Sequence, residues 1–443
     1  MEDHHGNPAS GASARGLDAY DRALGQLNAY CGDMIATIDA ALAEEPDFAM
    51  GHILRAEVFL TMWERSVIPE IEAALARLDD LGNRLNDRER AHTGALRAWA
   101  GGDWRGFQAR LDRLLDEHPR DLLALQVGHL SDFYLGDRDN LRGRVARALP
   151  AWTGADRGYG YVLGMAAFGL EECGAYGEAE ERGRHALALQ PGDCWARHAV
   201  AHVLEMQARQ AEGIAFMESG VADWAQPENL FAHHNWWHTA LFHLDQGDTA
   251  RALELYDARV RPTPEKMQVM ALDGVSFLWR LHLRGLDVGD RWGELADTYA
   301  DGNGPGGEAG FYAFNDMHAM MALIAAGRDA AAADRLAAVE AAAAGDGTNA
   351  GMVREVGLPI ARAIQAFAAA DYATAAALLL PVRYRAHAFG GSHAQRDMLD
   401  RTLIEAALRA GDGALARSLT GERVALKPHC PFSWSLRRRA EAA

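Results

Sequence analysis

The chain has no uninterrupted apolar run approaching the roughly 20 residues of a membrane-spanning helix. Its opening stretch, MEDHHGNPASGASARG, is polar and lacks the apolar centre of a secretory signal. These absences argue against a membrane partner and predict a disordered tail over residues 1–16 of a cytoplasmic protein. Cysteine is scarce: Cys31, Cys173, Cys194 and Cys430 stand far apart without a C-x-x-C pair, so neither a disulfide framework nor a cysteine zinc knuckle is indicated. Buried free thiols are the expectation. Positive charge is also short. Against 62 Asp and Glu the chain carries 44 Lys and Arg, a net charge of -18, and its one basic run is Arg437, Arg438 and Arg439. Nucleic acid is therefore not an expected partner. Alternating runs of valine, isoleucine and threonine are nearly absent, which removes the usual strand signal.

What is present favours helix. With 443 residues, 49% hydrophobic and 24% charged, the chain can bury a large core and belongs among soluble globular proteins. Alanine, leucine, arginine and glutamate dominate, and helical segments alternate with short breaks at GD, PGD or EEP. The clearest unit, YVLGMAAFGLEECGAYGEAEERGRHALALQPGD, sets Gly164, Gly174, Tyr176, Ala179, Ala186 and Pro191 close to tetratricopeptide spacing. The same grammar recurs in ALFHLDQGDTARALELYDARV and AIQAFAAADYATAAALLLPV, among others. The predicted fold is all-α, a tetratricopeptide-like helix-turn-helix solenoid, curved or ring-like, in one repeat domain over residues 17–443. One helix pair cannot bury its apolar face alone, so pairs stack, and first helices line a concave, histidine-rich polar pocket. Two glycine-rich breaks, residues 301–310 and 345–351, read as loops that could cover a pocket mouth.

Four first helices carry chemistry. In HHNWWHTALFH, His234 and His238 are four apart and share a face, continued by Leu241 and Asp245. His233, Trp237, Ala240 and Leu244 form a neighbouring packing stripe, and His243 reads as a locally bonded surface residue. In RHAVAHVLE, His198, His202 and Glu205 fall at i, i+4 and i+7. Two imidazoles and a carboxylate on one face can hold a divalent metal ion or serve in proton transfer. The spacing resembles the H-E-x-x-H zinc motif without its internal glutamate, since Val200 and Ala201 fill the middle. FYAFNDMHAMM adds Asn315, Asp316 and His318, and FGGSHAQRD adds a capping box at Ser392 and Gln395 that starts a helix at His393. His393, Arg396 and that helix N-terminus suit an anion. Asp273, an acid within the apolar stretch MALDGVSFLWR, needs a cationic partner, which one of the histidines could supply. A single histidine is more often structural, and tryptophans at helical spacing more often fill repeat interfaces. The grouping on four first helices is what favours a site.

The blocks RHAVAHVLEMQAR, HNWWHTALFHLDQG, FNDMHAMMA, GGSHAQRD and LKPHCPFSW, spread from Arg197 to Trp434, resemble the tetratricopeptide repeat protein 38 family. The resemblance implies an all-α repeat array in the cytosol, and no defined reaction. It marks His198, His202, Glu205, His234, Asn235, Trp237, His238, Asn315, Asp316, His318, His393, Gln395, Arg396 and Asp397 as positions where family motif and residue chemistry coincide.

The expected function is a small-molecule enzyme of hydrolase, lyase or isomerase type. His202, His238 and His318 would be its acid–base groups, with Glu205 and Asp397 orienting imidazoles. His234, Asn235, Trp237, Asn315, His393 and Arg396 would bind substrate. A metal-assisted version places a divalent ion among His198, His202, Glu205 and His238. The alternative is a non-catalytic scaffold that binds a protein partner or small ligand on its concave face, in either case as a monomer or homodimer.

Overall fold

The computed structural model describes residues 1–300 and 307–443. Among them the chain is helix after helix, and the only extended pairings are two isolated bridges, Glu2 with Pro8 and Cys31 with Asn229. The all-α reading holds. Contacts divide the chain into two compact units, Met1–Val200 with Gly220–Ala232, and Ala201–Ser219 with His233–Ala443. Sequence reading placed one repeat domain over residues 17–443; the division of contacts falls within the helix Cys194–Met206.

Each unit is built from tetratricopeptide-like helix pairs. In the first, Tyr159–Glu172 packs against Tyr176–Leu189, and both helices turn glycines toward the chain around Cys194–Met206. A Cβ on Gly183 would come within 2.6 Å of Val200 Cγ2, and one on Gly164 within 2.7 Å of the Asp193 carboxylate. Filling such a contact costs about 1–3 kcal/mol.

The recurring GD and AD breaks have one local cause. Gly102, Gly136, Gly247 and Gly411 end their helices at φ 79°, 61°, 93° and 72°, the left-handed region that suits glycine, and Ala370 does the same at φ 60°. The aspartate that follows each, Asp103, Asp137, Asp248, Asp412 and Asp371, then caps the next helix by accepting a backbone N–H at 2.8–3.2 Å. One dipeptide stops a helix and starts another.

Three expectations are corrected. The opening residues are ordered in place of a disordered tail: Asp3, His5, Asn7 and Ala9 are buried. Asp3 accepts the backbone N–H groups of His5 and Asn7, both at 2.9 Å, and its carboxylate lies 3.0 Å from Arg88 NH1. Polar composition suggested solvent, but these groups answer a buried cation. The first helix begins at Ala14, capped by Ser13. The second glycine-rich break is loop only in part, since Thr348–Met352 is helical. Residues 301–306 of the first lie outside the described residues. All four cysteines are free thiols, but only Cys194 and Cys430 are buried. No described helix is long and apolar enough to cross a membrane.

Candidate functional site

The second unit gathers its unusual polar side chains from five helices. Cys194–Met206 brings His202 and Glu205, Ala232–Gln246 brings His234, Trp237 and His238, and Gln268–Leu283 brings Asp273 and Arg280. Ala313–Ala325 adds Asn315 and His318, and His393–Arg409 begins at the predicted capping box, with Gln395 N donating to Ser392 Oγ at 3.2 Å. His202, Trp237, His238 and His318 are fully enclosed.

Helical spacing sorted the imidazoles correctly. His234 and His238 point the same way, their ring centroids 4.9 Å apart, and His202 meets His238 at 4.5 Å. Each of the first two faces its own carboxylate. His234 Nδ1 is 2.8 Å from Asp273 Oδ2, and His238 Nδ1 is 3.1 Å from Glu205 Oε2. Asp273 thus finds the histidine partner its burial demanded. Burial raises its pKa, but His234, with His233 at 3.7 Å, outweighs that and holds it below the usual range. His233 therefore does more than fill the stripe to which spacing assigned it. Burial, reinforced by His234, holds His238 well below its ordinary pKa, so at pH 7 its neutral ring donates one N–H.

Trp237 stacks on His234 at 5.2 Å and carries the Arg280 guanidinium 5.4 Å over its ring. Arg280 was missed by sequence reading, although it lies seven residues after Asp273 and thus two turns along the same face. It is fully buried, and its hydrogen bonds run to two carbonyls, Ser276 at 2.7 Å and Ala394 at 2.6 Å. No carboxylate among the described residues lies within ion-pairing distance of it. Burial, with Arg401 nearby, lowers its pKa to about 10, which leaves it charged at neutral pH. His318 gives Nδ1 to the Phe314 carbonyl at 2.9 Å, and burial lowers its pKa to about 4. His318 Nε2, Asn315 Oδ1 and Trp237 Nε1 are buried without a hydrogen-bond partner among the described residues.

Other candidates go elsewhere. Asp397, expected to orient an imidazole, is held by Arg401 at 2.6 Å and Arg423 at 2.5 Å. Asp245, on the predicted His234 face, binds Arg401 and Arg284 at 2.8 and 3.2 Å. In both cases a guanidinium offers a charged, forked donor that a neutral imidazole cannot match. Asp316 pairs with Arg335 at 3.0 Å. Arg396, expected at an anion corner with His393, donates to the Gly391 carbonyl and sits 3.4 Å from His393 Nδ1. Asn235 is fully buried, and its carbonyl accepts the Thr239 hydroxyl at 3.0 Å. His243 lies 3.6 Å from Asp248, much as expected. His198 belongs with the first unit, where its ring lies 5.0 Å from Phe168 and Trp195 and 5.2 Å from Phe231.

The first unit holds a polar centre that sequence reading did not single out. His92 Nδ1 is 2.7 Å from Glu57 and its Nε2 is 3.0 Å from Asp121, which also binds Arg88 Nε at 2.6 Å. Its signal was the i, i+4 pair of Arg88 and His92 in DRERAHTGAL.

No protein-family model matches the chain. Among solved structures it is similar to the human IFIT1 dimer with PPP-AAAA, at 13% identity over 96% of this chain and 93% of that one, with a TM-score of 0.44. Yeast Tom70 follows at 13% identity over 96% and 86%, with a TM-score of 0.37. The P58(IPK) TPR domain is 14% identical over 90% and 98%, with a TM-score of 0.21. At these identities and TM-scores the likeness says nothing about activity.

Proposed function

We propose that this chain is a helical-repeat binding protein that takes a small organic anion into the core of its second unit. The observation that carries the reading is Arg280, a buried guanidinium held by two carbonyls and by no carboxylate. A buried charge without a directly paired counter-charge is costly, and a ligand carboxylate or phosphate bound in forked geometry would supply one. Trp237 Nε1 beside it offers a donor, and His318 Nε2 and, one helical turn before it, Asn315 Oδ1 offer acceptors for a hydroxyl of the same ligand. Leaving such atoms unbonded in an apolar core costs about 1–3 kcal/mol each. Repeat stacking alone would be served better by leucine at the same positions.

The test is thermal unfolding of full-length protein with a panel of small carboxylates and phosphates, run beside Arg280→Met. The wild type should gain stability with at least one panel member, and the variant with none. Equal shifts in both, or no shift in the wild type, would reject the reading.

A second reading is favoured by one specific contact, the Asp273–His234 pair. A carboxylate that orients an imidazole beside a bound molecule is the base-and-orienter arrangement of acid–base enzymes. On that reading the protein converts its ligand by hydrolysis, elimination or isomerisation, with His234 as base and His238 or His202 as the second group. Following the bound panel member by NMR over hours decides it, since unchanged spectra leave binding alone.

A further inference from the structure

We propose that His202, His234 and His238 are the ligands of a divalent transition-metal ion, and that Asp273 and Glu205 orient two of them. The inference rests on the reading above only in treating the second unit's core as a binding centre. An ion can bind there whether or not an organic anion does.

The first support is geometric. Each of the three histidines offers a ring nitrogen, and these nitrogens lie within 4.8 Å of one another. An ion about 2.1 Å from each of its nitrogens in a tetrahedral arrangement sets them about 3.4 Å apart. Small ring rotations close that difference. The three side chains come from two helices and are all buried, so a bound ion would be shielded from water.

The second support is the carboxylate behind each imidazole. A histidine that gives Nδ1–H to an acid carries its ring lone pair on Nε2 and presents it at a fixed angle. Asp273 holds His234 this way at 2.8 Å, and Glu205 holds His238 at 3.1 Å. This carboxylate–histidine arrangement recurs behind metal-bound imidazoles because it sets the tautomer and raises the basicity of the ligand nitrogen. Glu205, read from sequence as a direct ligand, becomes an orienting group here, and His234 takes the ligand role.

The third support is the donor set. Three imidazole nitrogens suit zinc, copper or nickel, whereas magnesium and calcium require oxygen. Three-histidine sets are the protein share of several zinc centres.

The test uses full-length protein made without a histidine tag and dialysed into metal-free buffer. Elemental analysis should find about one equivalent of metal per chain. Cobalt added to stripped protein should give a visible d–d spectrum, and X-ray absorption of the zinc form should show nitrogen ligation from at least three imidazoles. Stripped protein should melt about 5 °C higher when zinc is restored at a hundredfold excess over its dissociation constant. His234→Gln and His202→Gln should fall below about 0.1 equivalent, and Asp273→Asn should keep the ion with affinity lowered about 10- to 100-fold in chelator competition. His243→Gln, on the same helix as His234 and His238, should retain a full equivalent and guards against loss through misfolding. Wild-type protein that neither retains nor gains an ion, or His234→Gln with unaltered affinity, would overturn the assignment. Wild type that takes up no ion yet gains stability from a carboxylate through Arg280 would end the metal proposal and leave the anion reading standing.

Discussion

Two buried histidine–carboxylate centres, one in each unit, use the same side chains to opposite ends. In the first unit His92 gives both ring nitrogens to acids, Nδ1 to Glu57 and Nε2 to Asp121. Both nitrogens must then be donors, so the ring is a cation. Burial works against this, but Glu57 and Asp121 outweigh it and raise the pKa to about 9. In the second unit His238 gives Nδ1 to Glu205 and stays neutral, its pKa depressed by burial and by His234 beside it. An imidazole clamped on both sides is a structural cation with no lone pair to offer. A neutral one whose Nδ1 faces an acid is oriented and carries its lone pair on Nε2. Burial alone therefore does not tell a structural histidine from a functional one; how the carboxylates are distributed around the ring does.

The same kind of substitution at the two centres should separate them most widely. Asp121→Asn places an amide where one oxygen accepts from both His92 and Arg88, and it should cost about 3–5 kcal/mol in urea unfolding. A loss under about 1 kcal/mol would mean the first centre is not the ionic lock described. Next in size is pH. His92 titrates near 9 when folded against about 6.5 when unfolded, so its contribution is whole below pH 6.5, declines as pH rises, and is gone above 9. Unfolding free energies from pH 6 to 9.5 should fall by about 3 kcal/mol in the wild type relative to His92→Gln. Parallel curves would place the charge elsewhere.

Asp3→Asn weakens one charged contact to Arg88, and a loss of about 2 kcal/mol is expected by the same measurement. No change would show that the opening segment rides on the network without supporting it. The smallest effect belongs to the second unit. Glu205→Gln still offers an oxygen to the neutral His238 ring, so about 1 kcal/mol should be lost. A loss as large as that of Asp121→Asn would erase the distinction between the two centres.

Much of the fold was legible because its signals are local. The GD breaks and the capping box at Ser392 act within a few residues, and the glycines of the Tyr159–Leu189 pair act on the neighbouring helix. The site was legible by half. Spacing placed His234 with His238 and His202 with Glu205, because a helix fixes which residues share a face. It could not say which acid faces which cation across helices. Asp397 was expected to orient an imidazole and Asp245 shares the His234 face, yet Arg401 takes both, reaching Asp245 across 156 residues of chain. That choice depends on helix register, which no short window contains. Arg280 closes the stretch MALDGVSFLWR, and nothing within that window shows that its guanidinium is buried.

The anchored opening segment bears on how the chain is made. Pro8 meets Arg88 across 80 residues, and His5 reaches the Arg157 carbonyl across 152. At about 5–20 residues per second, a ribosome needs about 8–30 seconds to add the residues between His5 and that last partner. For that interval the segment is a loose polar strand waiting for a socket not yet translated, and the first unit closes over a piece of itself that was made long before. Co-translational folding of this unit should therefore finish with its earliest residues, in the reverse of the order in which they were synthesised.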